Sequence, residues 1–273
     1  MGNLAGHSIS AVSLLLWSLW VIWNNLVRWH RSRFDPSSPP FRAGMRFPIR
    51  GRHGVDAGFI CFCCLVGISV ECGNALDKNW NWMYPENSQH IAIYFAFFLY
   101  FLIGTLVDKG YPILPYADDI FGIFALVVEW LLFAYHTHGK LPFEVVVHTL
   151  LGDVIKGGIL LELLMIWKKS NIIPVLGFAY TLLFQATWFF QIGLFLHWRN
   201  TWDFESHVNM TYATVIFIAH LFLDAIFVLA LSSFIEKSVR GGGCLTNCSE
   251  EKRILLSQDE KEERDDFKKG RIP

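Results

Sequence analysis

Charge is scarce in this chain. Only 17% of its 273 residues are Asp, Glu, Lys or Arg, where a soluble domain carries about 25%. That shortage argues against an ordinary water-soluble fold, and a content of 53% hydrophobic and 16% aromatic residues points to a membrane instead. A cleavable leader is not expected, because the first apolar run has no basic segment before it and no small-residue cleavage site after it. That run is therefore expected to stay as a span. Cysteine is nearly absent from the loops. Cys61, Cys63, Cys64 and Cys72 fall in the second apolar run and Cys244 and Cys248 in the C-terminal tail, so no disulfide framework is expected. The two tail cysteines are either free thiols or palmitoylated. Nothing in the charge pattern calls for nucleic acid, and membrane lipids are the expected partners.

What is abundant is apolar sequence in long runs. Crossing about 30 Å of hydrocarbon takes about 20 residues as a helix, and seven runs approach that length: Ile9–Leu26, Val55–Cys72, Ile91–Val107, Ile120–Tyr135, Phe143–Trp167, Ile172–Phe195 and Tyr212–Phe234. The connections between them divide by charge. One set, with the tail, holds nineteen Lys and Arg; the other holds Lys78, Lys140 and Arg199. Basic loops stay cytoplasmic. The expected fold class is therefore all-α, a polytopic bundle of seven transmembrane helices with a lumenal or exterior N-terminus and a cytoplasmic C-terminus. Residues 1–240 form the membrane domain and residues 241–273 a disordered, charged cytoplasmic tail.

Smaller signals fit this layout. Pro142 is placed to open the fifth helix at its first turn, and the short HTHGKL connection makes the fourth and fifth spans an antiparallel hairpin. Gly241 to Gly243 are expected to end the seventh helix. The Pro-rich loop after Arg31 should lack regular structure, with its arginines against anionic lipid. In the tail, Glu251, Leu255 and Leu256 form an acidic dileucine pattern of the kind clathrin adaptors read. Asn209-Met210-Thr211 is a glycosylation sequon on the outer side.

The chemistry concentrates in VVEWLLFAYHTHGKLPFEVVVHTLL, Val127 to Leu151. At about 1.5 Å per residue, Glu129, His136 and His148 fall in the outer half of the membrane. His90, Gln185, Gln191 and His220 join them from three other helices. Glu129 and His136 share one helical face, as do Glu144 and His148. A carboxylate at this depth costs about 2.5–3.5 kcal/mol and needs a partner. His90, His136, His148 and His220 are the candidate metal ligands, with zinc the ion that His and Glu suit. Glu129 is the candidate catalytic base, and His138, Glu144, Gln185, Trp188 and Gln191 would support the site. The plain alternative for each histidine is interhelical hydrogen bonding or a place at the interface. Asp56 and Glu71 flank the second span as end groups or helix pairings. Asp153 and Lys156 read as a structural i,i+3 pair.

The opening MGNLAGH, the YHTHG followed by VHTLL, and QATWFFQIG resemble the transmembrane protein 45 family, whose members share a membrane domain of unknown function. The resemblance covers nearly all of the spans and fades in the first cytoplasmic loop and the tail. It implies a seven-span protein of secretory and endosomal membranes, with no settled activity to carry over. It marks His90, Glu129, His136, His138, His148, Gln185, Trp188, Gln191 and His220 as family-type polar positions. Asp153, Lys156 and Asp224 depart from that pattern.

Two function classes follow. One is an intramembrane zinc hydrolase of a lipid or amide, in which His90, His148 and His220 (or His136) hold the ion and Glu129 activates water. The other is a non-enzymatic membrane protein acting in trafficking or through lipids or partners. A haem-binding redox protein is the weaker third. The expected location is the secretory and endosomal-lysosomal route or the plasma membrane.

Overall fold

The computed structural model describes residues 4–198 and 202–241, without the side chains of residues 4, 5 and 136. The tail, with Cys244, Cys248, Glu251, Leu255 and Leu256, lies outside the described residues. Seven helices follow in order: α1 (Leu4–Phe34), α2 (Val55–Ala75), α3 (Glu86–Asp108), α4 (Ala117–His136), α5 (Pro142–Trp167), α6 (Ile172–His197) and α7 (His207–Arg240). No strand occurs among the described residues. Five helices, α1, α2, α3, α6 and α7, are long and apolar enough to cross a membrane. In the other two, charges are spread through the helix and leave no long uncharged stretch: Asp118, Asp119 and Glu129 on α4, and Glu144, Asp153, Lys156 and Glu162 on α5. This composition is that of an integral membrane protein.

Local chemistry sets the helix ends. Pro142 stands in the first turn of α5, where its missing N–H is no loss. Glu144 reaches back to accept the Leu141 N–H at 3.3 Å. Asn171 caps α6, its side chain accepting from the Ile173 amide at 2.9 Å. Gly139, at φ 75°, makes the turn between α4 and α5 that other residues would strain to adopt.

The centre of the bundle is α6. Of its most apolar stretch 72% is buried, against 11% for α7, so α6 is wrapped by protein while α7 turns most of its surface outward. A helix apolar all round belongs in such a central place. It packs against α1, α5 and α7, while α4 lies between α3 and α5, and α2 rests on α3. Aromatic rings join the two halves. Trp17 of α1 meets Phe101 of α3 edge-on at 5.0 Å, and Phe133 of α4 meets Phe189 of α6 at 5.5 Å.

The 35–54 loop differs from expectation. It has no helix, but it is not draped loosely on a surface, because Phe41, Met45 and Phe47 are buried. Asn25 of α1 accepts the Gly44 N–H and donates to the Gly44 carbonyl, the Ala43 N–H reaches the Lys169 carbonyl at 2.7 Å, and the Phe47 N–H reaches Asp56 at 2.5 Å. Arg46, expected at lipid headgroups, instead enters the bundle between Asp108 and Asp118.

Candidate functional site

The polar residues singled out in the sequence gather largely at the bundle end that carries the 76–85 and 137–141 loops. Their centre is Phe133. Its ring stacks near His148 of α5 at 6.2 Å and meets Phe189 of α6 at 5.5 Å. With Leu132 it also lines a small cleft against Gln89, His90 and Ile93 of α3.

Each histidine here has a specific neighbour. His90 places Nδ1 3.4 Å from Glu71 Oε2, and the Asn87 amide donates to the same oxygen at 2.7 Å. Glu71 thus pairs helices rather than merely ending one. His148 is buried, with Nδ1 2.7 Å from the Glu144 carbonyl. A carbonyl can only accept, so Nδ1 carries a proton. Glu144 is itself buried and turned back to the helix start. Two histidines not singled out in the sequence, His7 and His197, face each other at 5.7 Å beside Phe189. They stand at the same-side ends of α1 and α6, and depth counting along each helix would have found them.

One turn below the cleft lie two polar groups without partners. Glu129 is four residues before Phe133 and 4% exposed, and its Oε2 has no hydrogen-bond partner among the described residues. Gln185 is four residues before Phe189 and fully buried, with neither amide atom partnered among them. The two helices run in the same direction and their phenylalanines touch, so Glu129 and Gln185 occupy one level. Burying such a group unpaired costs about 1–3 kcal/mol. Trp188, one turn nearer the 137–141 end, is satisfied by donating to the Val147 carbonyl at 3.0 Å.

The remaining candidates fall elsewhere. His220 is half-buried on α7, 5.8 Å from the Trp188 ring and 6.4 Å from that of Phe184. That puts it against α6, whereas His90 lies on α3 against Glu71. His138 is exposed and stacked on Tyr135, and Gln191 is half-buried. The side chain of His136 lies outside the described residues. Among the described residues no three His, Cys, Asp or Glu side chains come together as a metal site. His90 and His148, both beside Phe133, each have the carboxylate or carbonyl neighbour that usually stands behind a ligand, while His220 lies apart from them against Trp188.

Two other groups outside this cluster also find places. Asp224 on α7 accepts from the Thr187 hydroxyl at 2.8 Å. Asp153 and Lys156 form the expected pair at 2.8 Å, on the outer surface of α5.

A family model described as a family of unknown function (DUF716) matches residues 116–234. The match runs from just before α4 into the second half of α7. It therefore contains Glu129, His148, Gln185 and His220, and leaves out α1, α2, α3 and the 35–54 loop.

Proposed function

We propose that the chain is a seven-span protein of the secretory and endosomal-lysosomal route, similar to the transmembrane protein 45 family, that works by binding and not by hydrolysis. Its N-terminus faces the lumen or exterior. The 137–141 end then lies on that side, and the 35–54 loop and the 241–273 tail lie in the cytoplasm. The tail offers Glu251, Leu255 and Leu256 to a clathrin adaptor. The bound molecule is a lipid or small neutral compound with a hydroxyl or amide group, which enters by the cleft at His90.

The observation that carries this reading is the level shared by Glu129 and Gln185. A carboxyl oxygen and an amide, both buried and without partners among the described residues, together offer donors and acceptors to one neutral polar group. A bound hydroxyl or amide would satisfy them. Among the described candidate histidines, His220 stands behind Trp188, apart from His90 and His148 at Phe133, which favours binding over a shared hydrolytic centre.

The test is mass spectrometry of the protein purified in mild detergent, with element-specific metal quantification on the same sample. Wild type should carry a hydroxyl- or amide-bearing lipid that Gln185→Leu loses, with zinc far below one ion per chain. Stoichiometric zinc, or an identical lipid profile in the variant, would overturn the proposal. Tags on both termini check the orientation separately.

A further inference from the structure

The outer face of α5 carries the feature least suited to lipid. Asp153 and Lys156 stand at the middle of this 26-residue helix, and their side chains are 57% and 50% exposed. Their 2.8 Å ion pair satisfies one carboxylate oxygen and one proton of the ammonium, and the ammonium also lies 5.6 Å from the centre of the Trp130 ring. Among the described residues no other helix exposes a charge so near its middle. At the centre of a bilayer neither side chain has water to reach, and intramembrane charges normally face protein.

The residues around the pair have a period of their own. Thr149, Asp153, Lys156, Leu160, Leu163 and Trp167 follow one another at alternating steps of four and three, and all six are exposed. Steps of four and three repeat every seven residues, the spacing of a seam that meets a second helix along its length. The face of α7 is broad and apolar, with Phe222, Leu223, Ile226 and Leu229 exposed and no charge among them. Polar residues inside an otherwise apolar seam are the usual means of fixing register.

We propose that this seam of α5 is the interface of a homodimer whose two-fold axis runs along the membrane normal. Two copies of α5 then lie parallel. The acidic step of each copy stands one step from the basic step of the other, so Asp153 of one chain pairs with the partner's Lys156, and the reverse. The surface is complementary in charge to itself, which singles out a second copy of this chain over an unrelated helix. Leu160 and Leu163 close the seam toward Trp167.

The inference rests on α5 crossing the bilayer, and the experiment separates the two claims. Single cysteines are introduced at Thr149, Leu160 and, as a control, Phe222 on α7. Each variant is oxidised in native membranes against the wild-type background and is also probed with a membrane-impermeant maleimide. Thr149→Cys and Leu160→Cys should give a disulfide-linked dimer and resist the maleimide, and Phe222→Cys should give none. Asp153→Lys should abolish the dimer by facing four positive groups together, and adding Lys156→Asp should restore it. Maleimide labelling of Leu160→Cys would overturn the spanning of α5. Resistance without a cross-link, a cross-link to a different protein, or equal cross-linking at Phe222→Cys would overturn the dimer alone.

Discussion

Arg46 holds Asp118 at 2.6 Å and Asp108 at 3.0 Å, and so ties the 35–54 loop to the start of α4 and the end of α3 with one side chain. Burial works against the charge of this guanidinium, but the nearby Tyr100 and the hydrogen bonds to the two carboxylates outweigh it and hold the group firmly protonated. Room for it comes from Gly104. A Cβ there would stand 2.8 Å from a guanidinium nitrogen. The three charges are only 13–19% exposed, so removing one strands the others.

Arg46→Ala is therefore expected to lower stability by about 3 kcal/mol, the low end for breaking a buried pair. Arg46→Lys should recover less than half of the loss, because an ammonium cannot fork between two carboxylates as a guanidinium does. Thermal unfolding of the purified variants in detergent reads both effects. Equal stability of wild type and Arg46→Ala would mean that the loop is not anchored there.

Gly122 of α4 and Glu162 of α5 form a second close relationship. A Cβ on Gly122 would run into the Glu162 carboxylate, which is buried at 2% exposure. Gly122→Ala should destabilise the protein by about 1–3 kcal/mol, as overpacking does. The same change in a Glu162→Ala background should cost little, and the difference is the coupling that a double-mutant cycle measures. Additive losses would show that the glycine serves helix flexibility rather than room for the carboxylate.

Gln185 gives the opposite sign. Removing an unpartnered buried amide takes away a desolvation cost, so Gln185→Leu should stabilise the ligand-free protein by about 1–3 kcal/mol. The same variant should lose whatever polar group the wild type holds. A melting temperature that falls in lipid-stripped detergent would mean that the amide is already satisfied in the free protein.

The helices were largely legible in the sequence. Pro142 opens α5, Gly241 follows α7, and each of the seven apolar runs lies inside one helix. The shared end was legible in part: counting along the helices puts His90 and His148 in one half of the bundle, and both lie by Phe133. Direction around each helix was not. A helix apolar on every side, such as α6, gives no phase from which to say that Trp188 turns to α5 while Phe189 turns to α4. For that reason His220 is found behind Trp188 and away from His90. The 35–54 loop was illegible for another reason. Its anchors Phe41, Met45 and Phe47 follow no helical or strand period, and its carboxylate partners come from distant helices. The exposure of the Asp153–Lys156 pair was likewise beyond the sequence, since spacing shows that two charges can meet but not which way they face.

The loop between α2 and α3 supplies a pH prediction. Asp77 Oδ1 accepts the amides of Asn79 at 2.7 Å and Asn81 at 2.8 Å, and Oδ2 accepts the Asn81 side chain at 3.1 Å. These hydrogen bonds, led by that from the Asn81 backbone, favour the ionised form and hold its pKa below the ordinary carboxylate value. A depressed folded pKa gives stability that is present above the unfolded value of about 3.9 and is lost as pH falls through the lower folded value. The loop should therefore stay closed from neutral pH down to about pH 5, the acidity of late endosomal compartments, and open only in stronger acid. Amide exchange at Asn81, followed across pH, reads this directly once the intrinsic pH dependence of exchange is removed. Asp77→Asn keeps the shape but loses the charge, so its loop should be weaker at neutral pH and insensitive to acid. Opening of the wild-type loop already at about pH 5 would show that the carboxylate is not held in its ionised form by these bonds.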